Sequence, residues 1–128
     1  MKKFIPLLLS LLFLSGCSLP ERQEGSYRQI SMNEAITIME EESGYVILDV
    51  RTREEFVDKH IPGAINIPNE TIGAEKIPQL PDKDQLILVY CRSGNRSKQA
   101  SEKLVALGYT NIVEFGGIND WPGEIEIG

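Results

Sequence analysis

Three short apolar runs constrain the fold of this chain more than any other feature: Tyr45-Val46-Ile47-Leu48-Asp49-Val50, Leu86-Ile87-Leu88-Val89-Tyr90 and Asn111-Ile112-Val113-Glu114-Phe115. They are rich in branched residues and nearly continuous, as strands covered on both faces must be. Between them the period changes to helical. Ser31-Met32-Asn33-Glu34 is a capping box, with Met32, Ala35, Ile36 and Met39 following at helical spacing. Thr52-Arg53-Glu54-Glu55 is a second capping box and predicts a short helix that stops before Ile61-Pro62-Gly63. Residues 64–67 form a brief apolar segment. Residues 68–84 hold Pro68, Pro78 and Pro81 and predict a loop with one helical turn. Residues 97–107 place Ala100, Leu104 and Leu107 on one helix face and close on Gly108, while Gly116-Gly117 predicts the end of the last strand. Strands alternating with helices predict an α/β fold: one domain over residues 27–128, with a largely parallel sheet of about five strands and helices on both faces.

The first residues follow a different logic. Met1-Lys2-Lys3 is basic, residues 4–13 are apolar apart from Pro6 and Ser10, and Leu14-Ser15-Gly16-Cys17 follows. The apolar stretch is shorter than the roughly 20 residues of a membrane span and reads as an export signal over residues 1–16. Leu-Ser-Gly-Cys resembles the lipobox of bacterial lipoproteins, which implies cleavage before Cys17 and lipid on its sulfur. An ordinary cleaved signal and an uncleaved anchor are the alternatives. The order of basic flank, short core and lipobox favours the lipoprotein. Residues 17–26 (CSLPERQEGS) then read as lipidated cysteine and polar tether. The expected location is a bacterial membrane, with the domain facing the periplasm or the cell exterior. Loss of residues 1–16 removes Lys2 and Lys3 and no acid, leaving 11 basic against 19 acidic residues. Such a balance offers no basic stripe to nucleic acid.

With Cys17 acylated, Cys91 is the sole thiol of an exported domain, where a lone thiol is open to oxidation. Its neighbourhood gives a chemical reason for it. Cys91 ends a buried strand and leads into Arg92-Ser93-Gly94-Asn95-Arg96-Ser97. The amides of such a loop can converge as a nest, and the following helix aims its positive end at the same point. Arg92 and Arg96 add full charge, Gly94 permits a tight backbone, and Ser97 is suited to N-cap the helix with its hydroxyl toward the sulfur. Each contribution favours thiolate, the nucleophilic form. Free cysteine is often simply buried, but a strand-end position beside two arginines and a glycine weighs against that.

Cys91-Arg92-Ser93-Gly94-Asn95-Arg96-Ser97 resembles the active-site loop of the rhodanese family of sulfurtransferases. Leu48-Asp49-Val50-Arg51, running into Glu55-Phe56 and His60-Ile61-Pro62-Gly63-Ala64-Ile65-Asn66-Ile67-Pro68, and Gly116-Gly117-Ile118-Asn119-Asp120-Trp121 resemble two further motifs of that family in the same order. The resemblance implies a single rhodanese-like domain acting as a thiosulfate sulfurtransferase. Cys91 would take the outer sulfur of a small anionic donor such as thiosulfate as a persulfide. It would then pass that sulfur to a thiol, a protein cysteine or another nucleophile. Residues 92–97 would bind the anion, no cofactor would be needed, and a monomer is expected. Lys59 stands where the family has glycine before the histidine, a change expected at the rim of the pocket.

Other residues carry plainer readings. His60 is the only histidine, so neither a Cys–His dyad nor a zinc cluster can be assembled around it, and a hydrogen-bonded structural role is expected ahead of the alternative, assistance in proton transfer. Asp49 and Arg51 flank a strand end and are expected to support the loop as a buried pair, or to be plain strand-end charges. Trp121 either roofs the pocket or fills a gap in the core. Two other functions fit the same sequence: a membrane-tethered sulfur-carrier or binding module, and a phosphatase or arsenate reductase. Four residues separate Cys91 from Arg96, whereas the phosphatase loop has one more, and the tighter ring favours sulfur.

Overall fold

The computed structural model describes residues 26–128. The signal, Cys17 and most of the tether therefore lie outside the described residues. Five strands, β1 (Arg28–Gln29), β2 (Val46–Asp49), β3 (Ile65–Asn66), β4 (Ile87–Cys91) and β5 (Ile112–Gly117), form one sheet in the order β1-β5-β4-β2-β3. Every pairing is parallel. Three helices, α1 (Met32–Glu41), α2 (Arg53–Asp58) and α3 (Asn95–Ala106), connect them.

The helix starts follow from the sequence. Both capping boxes close: Ser31 Oγ accepts from Glu34 N while Glu34 accepts from Ser31 N, and Thr52 and Glu55 repeat the arrangement. A single 3₁₀ turn, Asn69–Thr71, interrupts the proline-bearing connection. β4 is central and buried along its length. Its side chains alternate between two cores. Ile87, Val89 and Cys91 face Ala100 and Leu104 of α3, with Ile72 and Leu80 closing that side. Leu88 and Tyr90 face Ala35 of α1, together with Val113, Phe115 and Ile61. The continuous apolar runs are thus two half-patterns, each serving one face of the sheet.

Three details differ from the sequence expectations. β1 is only two exposed residues, Arg28 and Gln29, and carries no apolar signal. α3 starts at Asn95, two residues before Ser97, because Gly94 takes a left-handed backbone (φ 119°) and turns the chain at once into the helix. Gly116-Gly117 does not end the last strand. β5 continues through Gly117, which pairs with Cys91, while Val89 pairs with Glu114, so β5 carries one extra residue between these pairs. Gly116 supplies the positive φ (101°) that this bulge needs.

Gly117 is required for a different reason, since its backbone is extended (φ −142°). A Cβ there would stand 2.1 Å from the Arg92 carbonyl oxygen and 2.6 Å from Ser93 N. Backbone cannot yield as a flexible side chain does. Gly117→Ala is expected to destabilise the fold by about 1–3 kcal/mol through overpacking and to displace the loop after Cys91. Urea unfolding together with the alkylation rate of Cys91 checks this; unchanged values for both would mean the contact is unimportant.

Candidate active site

Cys91 sits at the carboxyl end of the central strand, where ligands of parallel sheets gather, and is 1% exposed. Its Sγ accepts the Gly94 N–H at 3.0 Å and lies 3.4 Å from Ser97 Oγ. Gly94 is the N-cap of α3 and provides no side-chain cap. The amides that open the helix, at Asn95, Arg96 and Ser97, therefore have no intrahelical acceptor. They lie at the helix end where the sulfur sits, together with the positive end of the helix dipole.

Ser97 is not the N-cap. Because α3 begins early, Ser97 falls in its first turn, fully buried, and its hydroxyl donates inward to Glu114 Oε2 at 2.5 Å. Ser93 and Asn95 are exposed on the outer side of the loop.

The two arginines divide. Arg92 is exposed, and its backbone carbonyl accepts the Asn119 N–H. Its side chain lines a cavity of about 290 Å³, with Arg51, Glu55, Lys59 and Asn119 among the walls. Arg96 is held by Glu55 through two hydrogen bonds of 2.8 and 3.1 Å. The Arg96 guanidinium, with help from the Thr52 amide and hydroxyl, holds the Glu55 carboxyl down at about 2, against burial, which pushes the other way. Glu55 likewise raises the pKa of Arg96. Arg96 thus adds positive potential near Cys91 with half of its hydrogen-bonding fork already committed.

Asp49 and Arg51 form a buried pair. Asp49 accepts from Arg51 N, Nε and Nη2 and from the Tyr90 hydroxyl at 2.7 Å, leaving neither carboxylate oxygen unserved. Arg51 Nη2 also donates to Lys59 O, and Tyr90 Oη accepts the Ile61 N–H. The network ties the end of β2 and the turn after α2 to the residue preceding Cys91. Burial, reinforced by the Asp49 charge, pushes the Tyr90 hydroxyl well above its ordinary pKa, so it acts only as a neutral hydrogen-bonding group. For Arg51, burial opposes the charge, but Asp49 more than offsets it.

The plainer readings resolve individually. His60 stacks on Phe56 at 3.9 Å, with Nδ1 hydrogen-bonded to Phe56 O at 2.9 Å and Nε2 3.3 Å from Glu126 Oε1. These contacts, with the backbone bridge between His60 and Glu126, join the end of α2 to the C-terminal segment. Trp121 packs toward Phe115 in the core opposite Cys91, with Nε1 donating to Glu124 O, so it fills that core and does not roof the sulfur. Lys59 is extended (φ −169°), a conformation that any residue adopts, and so the position does not require glycine.

Two residues escaped the sequence reading. Glu55 looked fully used as a capping residue, yet it also serves Arg96. Glu114 interrupts the apolar run Ile112-Val113-Glu114-Phe115, and an acid in a buried strand is itself a signal. It is 2% exposed and accepts from Ser97 Oγ and from Gly116 N at 3.0 Å.

The Arg96–Glu55 pair predicts a pH dependence. A carboxyl whose pKa falls on folding stabilises the fold above its unfolded pKa, and that stability disappears as pH falls through the folded value. Glu55→Gln should therefore cost about 1–2 kcal/mol at pH 7 after allowance for solvent screening. The cost should shrink progressively between pH 4.5 and about 2. Urea unfolding of both proteins across that range checks it; a pH-independent difference would rule out the ion pair as the cause.

Among the described residues no group of three or more His, Cys, Asp or Glu is placed to hold a metal ion, and no helix is long and apolar enough to cross a membrane. A model of the prokaryotic membrane lipoprotein lipid attachment site matches residues 1–18. The thiosulfate sulfurtransferase PspE of Escherichia coli is 40% identical over 73 residues, covering 57% of this chain and 70% of PspE. The adenylyltransferase and sulfurtransferase UBA4 of Candida albicans is 34% identical over 77% of this chain, which spans only 24% of UBA4. A solved rhodanese with anions, from E. coli, superposes with a TM-score of 0.60 at 36% identity, covering 66% of this chain and 99% of that one. A model of the rhodanese-like domain matches residues 31–124, and with that match over four of the five strands and the Cys91 loop, this chain belongs to the rhodanese-like domain family.

Proposed function

We infer that this protein is a lipid-anchored sulfurtransferase that carries sulfane sulfur as a persulfide on Cys91. The observation that carries the reading is the 3.0 Å hydrogen bond from Gly94 N–H to Cys91 Sγ at the uncapped start of α3. The Cys91 thiolate attacks the outer sulfur of thiosulfate. The new S–S bond forms as the old one breaks, and sulfite leaves with the electron pair of the broken bond. The persulfide's terminal sulfur carries the negative charge, toward which the amides of Asn95, Arg96 and Ser97 are placed to donate beside the Gly94 N–H already bonded to Sγ, as in an oxyanion hole. A thiolate acceptor then attacks that sulfur, and Cys91 leaves as thiolate.

Residues 92–97 form the anion site in this reading, with unequal shares. Arg92 is free to meet the donor, Arg96 contributes field while tied to Glu55, and Ser97 faces inward beneath the sulfur. The Asp49–Arg51 pair supports the site through Tyr90. Residues 1–16 act as a signal, Cys17 carries lipid, residues 18–26 are a tether, and residues 27–128 are the working domain. Acyl chains contribute about 0.8 kcal/mol per buried CH₂, so two or more hold the domain at a membrane.

After exposure to thiosulfate, intact-mass analysis should show one added sulfur on wild type and none on Cys91→Ser. The variant should also lose thiosulfate:cyanide turnover while unfolding at the same urea concentration. Turnover surviving in Cys91→Ser would refute the nucleophile, and aryl-phosphate hydrolysis by wild type without sulfur transfer would move the protein to the phosphatase class.

For the anchor, expressed wild type should label with fatty acid and partition into detergent, and Cys17→Ala should do neither. Unlabelled, freely secreted wild type would show that the lipobox is not used.

A further inference from the structure

Glu114 is the buried ionisable group that the sulfur-transfer chemistry leaves unused. No cation lies within ion-pairing distance of it among the described residues, and a buried charge left unpaired is costly. Its strand position places it on the Cys91 side of the sheet, because Ile112, two residues earlier, belongs to the same core as Cys91. There the side chains form a continuous line: Cys91 Sγ to Ser97 Oγ at 3.4 Å, and Ser97 Oγ to Glu114 Oε2 at 2.5 Å. We propose that Glu114, acting through Ser97, receives the proton that Cys91 gives up on becoming a thiolate and returns it when the thiol re-forms. The inference rests on the reading of Cys91 as the sulfur-carrying nucleophile.

The hydroxyl of Ser97 has one hydrogen and three acceptors in reach, Glu114 Oε2 at 2.5 Å, Gly94 O at 3.0 Å and Gly116 O at 3.4 Å; the short contact to the carboxylate sets its direction in the resting state. In the resting thiol, Cys91 S–H donates to Ser97 Oγ, and Ser97 O–H donates to the Glu114 carboxylate. Two linked transfers reverse it. The S–H bond breaks as its proton joins Ser97 Oγ, and the former Ser97 hydrogen passes to Glu114 Oε2. Nothing is oxidised or reduced, and the site keeps one negative charge throughout. The thiolate now accepts from Ser97 O–H as well as from Gly94 N–H, while protonated Glu114 donates to Ser97. No heavy atom has to change partners. Gly116 N–H, bonded to Glu114 Oε2 at 3.0 Å, keeps the carboxyl turned toward Ser97.

The surrounding charges do not supply an alternative partner. From α3, Arg96 acts on Cys91 but is committed to Glu55, and Lys98 is exposed in an open cavity that Glu114 and Asp120 also line. From the chain before β1, Tyr27 feels the Glu114 charge and has its own pKa raised, mainly by burial. Two negative charges so close together as Cys91 and Glu114 repel one another.

The test uses the full chain carrying Cys17→Ala, so that Cys91 is its only thiol, and measures the rate of alkylation by iodoacetamide against pH. Shared-proton behaviour gives a rise, a plateau on which thiolate forms without releasing a proton, and a second rise. Glu114→Gln keeps the shape and the contact to Ser97 but cannot take the proton. It should give a single rise of tenfold per pH unit to one maximum. Should that variant fail to fold, the infrared spectrum of wild type decides: adding one sulfur to Cys91 should convert a carboxylate band to a protonated-carboxyl band. A single-step wild-type profile, or a plateau that survives in folded Glu114→Gln, overturns the relay, as does persulfide formation with no new carboxyl band. Loss of the sulfur-transfer reading looks different: alkylation keeps its two steps while thiosulfate adds no mass.

Discussion

Between Val89 and Cys91 the ladder joining β4 to β5 takes up one extra residue on the β5 side, and the geometry of the loop derives from that irregularity. Gly116 bends to admit the residue, and Gly117 then passes so close to the Arg92 carbonyl that no side chain fits between them. The same carbonyl accepts the Asn119 N–H. Arg92 is therefore pinned by backbone alone, one residue after the sulfur. From a fixed point the chain has only two residues in which to reach a helix, and the left-handed Gly94 completes the turn. Cys91 is held at the meeting of a central strand, a bulge and a helix start, all of them main-chain features that side-chain motion does not disturb.

Around this frame the charges are arranged by burial. Asp49 and Arg51 are enclosed and saturate one another, with Tyr90 and the Lys59 carbonyl taking the remaining valences. A pair of that kind adds little net stability over an apolar substitute, but removing either member strands the other. Its effect here is registration, because it fixes the turn after α2 against the end of β4. Arg96 and Glu55 lie nearer solvent and join α2 to the first turn of α3. The two pairs hold the short α2, which buries no residue of its own, across the mouth of the loop.

What could be read from the sequence was whatever local chemistry decides. Both capping boxes closed as written, because a serine or threonine and a glutamate three residues on need only each other. The central strands were legible because β4 and its neighbours must be apolar on two faces. β1 was not, since two exposed residues paired to one edge leave no apolar trace. Ser97 looks like a cap and predicts a helix start two residues late, whereas the cap is Gly94, which turns the chain by conformation alone. Gly116-Gly117 read as a stop because glycine usually breaks strands, whereas here each glycine answers a different spatial demand from β4 and its loop. Lys59 departs from the family's glycine without consequence for the backbone, and it lines the cavity that Arg92 also lines. The second roles of Glu55 and Glu114 depend on partners 41 and 17 residues away, which no local pattern encodes.

The chain's formal charge of −6 opposes the approach of an anion, yet the Cys91 loop is built from groups that attract one. Distance resolves the conflict. At physiological ionic strength the screening length is about 8 Å, so surface carboxylates far from the loop are largely invisible to a small ion at its mouth. What remains is local: Arg51, Lys59 and Arg92 on one cavity wall set, against Glu55 and Asp58. Arg51 and Glu55 are neutralised by Asp49 and Arg96, which leaves Lys59 and Arg92 opposed by Asp58 alone and gives the cavity a net positive rim. The amides at the start of α3 extend that positive field inward to the sulfur, where burial removes the screening and each dipole counts for more. A small anion at the mouth of the loop in this way meets a local positive field although the domain as a whole is acidic.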